Sequence, residues 1–242
     1  MLATSIHVER QNRSPITMPG YRKGERPGNY GLKLPAEPLS RGEIERLLRH
    51  MGHGPCGHRN RALVVLLWRS GLRIAEALAL YPKDVDSAAG TVTVLRGKGA
   101  KRRQVGIDGY TLAALERWQA ARAELGLTGR QPLFCCVDVR TRGKAMYSSY
   151  VRDMLKHRAH QAGIEKRVHP HGLRHTMAFE LMMEGEPLGV IRDQLGHSEL
   201  ATTMRYLDHL APAAAIRAMH ARPLPDFDAD TEDGTSASRP AR

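Results

Sequence analysis

Apolar residues recur at two different periods along this chain, and the switches between them mark its elements. From Leu39 the run "LSRGEIERLLRHM" sets Ser40 three positions ahead of Glu43, the spacing of a capping box, with Leu39 and Ile44 placed to close over it as a hydrophobic staple. A helix is expected there. Helical spacing returns over about 59–70, in "HRNRALVVLLWRSG", where Gly71 supplies the stop, and again over 73–80. The period then drops to two: "TVTVLRGKGAKRRQVGI" alternates on both sides of a Gly-Lys-Gly turn and predicts a β-hairpin. Beyond it, "YTLAALERWQAARAEL" predicts a long helix, "LFCC" a short buried segment and "SSYVRDMLKHRAHQAG" a further helix. The remaining helices are expected from near Pro170 to Met183, Pro187 to Leu195, Glu199 to Leu210 and Ala213 to His220. The fold class is therefore mainly α with a small antiparallel β-sheet (α+β).

Neither period survives at the ends. Residues 1–38, including "TMPGYRKGERPGNYG", read as a mobile basic arm, and residues 223–242 as a disordered acidic tail, leaving 39–222 as the folded domain. Charge sharpens this division: 37 Lys and Arg against 25 Asp and Glu give a formal charge of +12, and residues 39–222 hold 29 of the bases and 17 of the acids. Such a field favours a polyanion, nucleic acid first and an anionic membrane surface second. Three cysteines, Cys56, Cys135 and Cys136, make no disulfide framework, which fits a reducing compartment. The opening "MLATSIHVER" lacks the apolar core of a signal peptide, and no stretch approaches the roughly 20 apolar residues that span a bilayer. A soluble, cytoplasmic protein is expected.

Several polar residues stand where apolar helices begin. "HPHGLRHT" packs His169, His171, Arg174 and His175 just ahead of "MAFELMM", and Gly-Leu-Arg occurs a second time as "GLRIAEAL", with Arg73. A long cation entering an apolar helix is costly unless it meets an anion; a nearby acid such as Glu76 could serve, as could a bound phosphate. Lys98 sits at the hairpin tip among Arg96, Lys101, Arg102 and Arg103, a cluster suited to DNA phosphates although a lysine in a turn is usually just solvated. In "LGHSELATTMRYLDHL" Ser198 reads as an N-cap, His197 precedes it, and Tyr206 lies inside the helix, where packing is the ordinary use of a tyrosine. Metal ligation competes for "HGPCGHR", with His53, Cys56 and His58, and for the three histidines of "HPHGLRH", but neither has a second half with paired ligand spacing.

Taken in order, Arg73, Lys98, His171 with Arg174, His197 and Tyr206 resemble the catalytic set of the tyrosine recombinases of the phage integrase family, over residues 39–220. The resemblance implies a catalytic domain that cuts double-stranded DNA with Tyr206 as nucleophile, forming a 3′-phosphotyrosyl ester that keeps the bond energy for rejoining. Arg73 and Arg174 would clamp the non-bridging oxygens, His171 would act as base near the tyrosine, Lys98 as acid at the leaving 5′-oxygen, and His197 as a hydrogen-bond donor to the phosphate. His169 and His175 would support them, and Glu76 would orient Arg73 or its neighbours. No metal or nucleotide cofactor is called for.

Larger members of that family carry a separate helical domain ahead of the catalytic one, whereas only 38 residues precede Leu39 here. The resemblance therefore leaves an accessory protein or the basic arm to supply the missing grip on DNA. Three function classes follow: a site-specific recombinase that integrates, excises or inverts DNA, a type IB topoisomerase-like enzyme, and a catalytically silent DNA-binding protein. "APAAAIRAMH" after Pro212 reads as a small helix suited to docking on a neighbouring copy, which favours the recombinase and a homo-oligomer on DNA, a tetramer in the synapse.

Overall fold

The computed structural model describes residues 37–96, 101–196, 216, 219 and 220. Helix α1 (Arg41–Arg49) begins at the capping box read from the sequence: Ser40 Oγ accepts from the Glu43 backbone N–H at 3.2 Å, and the Ser40 N–H donates to Glu43 Oε2 at 2.7 Å. Leu39 and Ile44 are both buried beside it, as the staple requires. Glu43 also accepts from Lys166 Nζ at 3.1 Å, and the Leu39 N–H donates to Thr176 Oγ1 at 3.0 Å, so this entry is tied to the far half of the chain.

Helix α2 (Gly54–Ser70) starts five residues before the expected position 59. Pro55 hides the early turn from a pattern search, yet proline is tolerated there because the first N–H groups of a helix have no partner to lose. The run Leu63 to Leu67 is buried on every side, which makes α2 the central helix, packed against α4 (Gly109–Glu124) and α6 (Pro170–Met183). It ends at Gly71, whose φ of 65° is the left-handed conformation that glycine takes without steric penalty. Helix α3 (Ile74–Leu78) is shorter than the expected 73–80 because Arg73 serves as its N-cap.

The hairpin is present as β2 (Thr91–Arg96) and β3 (Lys101–Gly106), but the sheet has a third strand, β1 (Val85–Asp86), which pairs antiparallel with β2. Two residues are too few to show a period. Val92, Val94 and Val105 form the inner face of the sheet. Helix α4 buries Trp118, whose indole N–H donates to the Leu133 carbonyl at 2.7 Å. That contact anchors "LFCC": Leu133, Phe134 and Cys135 are fully buried, and Cys135 forms an isolated bridge with Ala145.

Helix α5 (Ser148–Gln161) and α6 complete the main core, while α7 (Leu188–Leu195) makes a small second one with Met177, Ala178, Ile191 and Leu195. Among the described residues no helix is long and apolar enough to cross a membrane. The expected helices over 199–210 and 213–220 fall outside the described residues except at Ile216, Met219 and His220, which are helical; the acidic tail and residues 1–36 of the arm also lie outside them.

Candidate active site

Three chain reversals converge on one corner of the fold. At the end of α2, Gly71 turns the chain and buried Leu72 pins it, so that Arg73 stands at the head of α3. The Arg73 N–H donates to Glu76 Oε2 at 2.9 Å and its Nη1 pairs with Glu76 Oε1 at 3.1 Å, the partner expected from the three-residue spacing. Burial pushes the Glu76 carboxyl up, but the Arg73 N–H and the Arg103 and Arg73 guanidiniums outweigh it and hold the group below the ordinary carboxylate value.

The second reversal is the start of α6. His169 caps it, its Nδ1 accepting from the Gly172 N–H at 2.7 Å, and Pro170 fills the first turn. One turn on, Arg174 is buried at 1% exposure, a costly place for a cation unless acceptors surround it. Its Nη1 donates to the Gly71 carbonyl and its Nη2 to the Leu195 carbonyl at 2.8 Å. His171 remains exposed, its ring 4.5 Å from that of His175 in an edge-to-face arrangement. Partial desolvation, followed by the charges of Arg174, His169 and Arg73, holds its imidazole below the ordinary value. Both arginines that the sequence singled out therefore act on this one histidine.

The third reversal closes α7, where Leu195 accepts from Arg174 and Gly196 turns at φ 65°. Gln194 bridges two neighbours: its Nε2 donates to the carbonyls of Gly106 at 2.8 Å and Ser70 at 3.2 Å, and its Oε1 accepts from the Gly106 N–H at 3.3 Å.

Arg103 requires a correction. Expected on an open, phosphate-facing strand, it instead sits largely buried, with Nη2 on Glu76 Oε2 and Nη1 on the Gln194 carbonyl, both at 3.1 Å. Strand alternation gives the reason: Arg103 pairs with Val94 and lies two residues from buried Val105, on the inner face, whereas its neighbours Arg102 and Gln104 are exposed. That alternation was the available signal; the role of Gln194 left none. Lys98, His197 and Tyr206 lie outside the described residues, as do the side chains of Arg96 and Lys101. Among the described residues no group of three or more His, Cys, Asp or Glu side chains is placed to hold a metal ion, and His169 of the "HPHGLRH" cluster is engaged as a cap.

Comparison with known proteins gives the frame for this geometry. The chain is 37% identical over 192 residues to the tyrosine recombinase XerC of Xanthomonas campestris pv. campestris (strain B100), covering 78% of this chain and 57% of that protein. It is 38% identical over 200 residues to the tyrosine recombinase XerD of Pseudomonas putida, covering 81% and 64%. It thus spans about three fifths of the length of these relatives. Among solved structures it resembles XerA recombinase, with a TM-score of 0.67 at 29% identity over 84% of this chain and 69% of that one. It also resembles the XerH site-specific recombinase bound to palindromic difH substrate in a post-cleavage complex, with a TM-score of 0.61 at 28% identity over 76% and 54%. The fold is that of a tyrosine recombinase catalytic domain, and residues 37–212 match the model of the phage integrase family, to which this chain belongs.

Proposed function

We propose that residues 39–222 form the catalytic domain of a site-specific DNA recombinase that breaks and rejoins DNA through a 3′-phosphotyrosyl intermediate on Tyr206. The observation that carries this reading is the seating of Arg174. Its guanidinium is gripped by the carbonyls of Gly71 and Leu195, each two residues ahead of another member of the set, Arg73 and His197. A buried cation held by two backbone carbonyls is fixed in orientation and so pre-organised for an anion.

The chemistry runs in balanced steps. Tyr206 Oη attacks phosphorus, its proton passing to His171, whose imidazole is held below its ordinary value by partial desolvation and then by the charges of Arg174, His169 and Arg73, which favours the neutral form that accepts a proton. The bond to the 5′-oxygen breaks, and Lys98 protonates that oxygen as it leaves. Arg73 and Arg174 stabilise the charge that gathers on the non-bridging oxygens, with a hydrogen bond from His197. Attack by a 5′-hydroxyl from the partner duplex reverses the sequence and frees Tyr206. No metal enters any step. Arg96, Lys101 and Arg102 bind the flanking backbone, a sequence-independent contribution to affinity.

Exchange between two duplexes calls for several copies of the chain, a tetramer in the synapse, with the segment over 211–220 linking neighbours; an accessory protein or the basic arm adds to the hold on DNA. Such a protein works in the cytoplasm, where its DNA is. The test is incubation with duplexes taken from either side of its own gene, followed by sequencing of new junctions. New junctions at a fixed position support recombination; relaxation of supercoils without junctions would assign the topoisomerase-like activity instead.

A further inference from the structure

Arg73, half-exposed and held through an ion pair to Glu76, is poorly fixed for a group meant to meet a phosphate. With the Arg73 side chain partly exposed, one ion pair does not by itself hold so long a side chain in a single geometry. What immobilises Glu76 is Arg103. Its Nη2 shares the Oε2 atom that also accepts the Arg73 N–H, and both side chains are nearly buried, at 14% and 11% exposure. The same guanidinium donates through Nη1 to the Gln194 carbonyl, one residue before the Leu195 carbonyl that holds Arg174. The Gln194 amide in turn grips both backbone groups of Gly106 at the end of β3 and the Ser70 carbonyl at the end of α2. Gly196 completes the joint: a Cβ there would stand 2.6 Å from Cζ and Nε of Arg103, so the chain passes where only glycine fits.

We propose that Arg103, with Gln194, is a positioning residue of the phosphate site, fixing Arg73 through Glu76 and Arg174 through the end of α7 in one frame without touching DNA. The hairpin belongs to the same frame, because β3 carries Arg103 and Gly106, and Lys98 lies three residues ahead of β3 in the sequence. Two guanidiniums that must converge on one phosphate gain from a shared rigid support, since misplacing a reacting group by about 1 Å lowers a rate by about a hundredfold. The proposal rests on the reading of Arg73 and Arg174 as phosphate ligands.

Its test compares wild type with Arg103→Met, Arg103→Lys, Glu76→Gln and the Arg103→Met/Glu76→Gln pair in three measurements on the full chain. The first is orthovanadate binding, followed through arginine side-chain nitrogen resonances, which needs no DNA target. The second is single-turnover formation of covalent adduct on nicked duplexes from the gene's own flanks. The third is affinity for a nonspecific duplex together with the melting temperature. Arg103→Met is expected to weaken vanadate binding about tenfold and to slow adduct formation about a hundredfold, with duplex affinity within threefold of wild type. Arg103→Lys, able to reach one of the two acceptors, should recover part of both, and the double variant should be no worse than Arg103→Met alone. Wild-type behaviour of Arg103→Met in vanadate binding and adduct formation overturns the proposal. So does a loss of rate matched by equal losses of duplex affinity and folded protein, which marks a structural role. If wild type itself neither binds vanadate nor forms adduct, the phosphate-site reading falls, and this proposal with it.

Discussion

Replacing Arg174 with lysine keeps the charge and removes the fork. In the structure two different nitrogens reach two carbonyls from different parts of the chain, Gly71 and Leu195, at a residue with 1% exposure. A lysine has one nitrogen on a flexible stem and can serve only one of them. The other carbonyl is left buried without its donor, and a hydrogen bond to a charged group contributes about 1.5–3 kcal/mol. A loss of about 2 kcal/mol lowers the melting temperature of a domain this size by roughly 4–8 °C. The effect on chemistry should be larger: losing one arm of a transition-state clamp slows cleavage by about a hundredfold or more, with far less change in DNA affinity. Differential scanning fluorimetry, equilibrium binding and single-turnover adduct formation on the same preparation separate these terms. A lysine variant that melts within 1 °C of wild type, taken as roughly half a kcal/mol or less, and cleaves at the wild-type rate would refute both the seating of Arg174 and its use.

Three further outcomes follow from the same geometry. Because His171 is held below the ordinary imidazole value of about 6.5, the unfolded chain binds its proton more readily than the fold does. Stability should therefore fall as pH drops below about 6.5, and cleavage should persist below that pH; His171→Gln should lessen the loss of stability without abolishing it, since desolvation and the Arg167 charge hold His169 below its ordinary value as well, as read by melting across pH 5–8. Gly71→Ala forces a left-handed alanine, at roughly 1–2 kcal/mol, and sets its methyl against Met177 and 3.1 Å from Leu195 Cδ2. Denaturant unfolding should show a loss of about 2–4 kcal/mol, and cleavage should slow as the Gly71 carbonyl leaves Arg174. EDTA should leave the adduct rate unchanged; a loss that zinc or magnesium restores would revive metal ligation by the histidines.

What could be read in the sequence was whatever its periodicity and local caps determine. The capping box at Ser40, the stop at Gly71, the hairpin and the buried "LFCC" segment all depend on neighbours within a few residues, and all are present. The early turn of α2 was hidden by Pro55, and β1 by its length. Glu76 could be paired with Arg73 from helical spacing alone, but that it also takes Arg103, 27 residues away and across the sheet edge, is a tertiary fact. Arg103 was placed among the DNA contacts because composition sees a basic cluster, whereas the pleat decides which of its members turn inward. Gln194 and the carbonyls of Gly71 and Leu195 were invisible for a plainer reason, since backbone acceptors have no letter in the sequence.

The most direct measurement is of the covalent bond itself. Wild-type protein and Tyr206→Phe are incubated with a suicide duplex from the gene's flank, nicked so that the cleaved fragment diffuses away, and the adduct is digested and mapped by mass spectrometry. The substitution removes only the nucleophilic oxygen, so binding should be preserved while the adduct disappears. Wild type should yield one nucleotide-bearing peptide, modified at Tyr206 and joined to a 3′-phosphate. An adduct of equal yield with Tyr206→Phe, or one mapping to another residue, would contradict the assignment of Tyr206 and the reaction built on it.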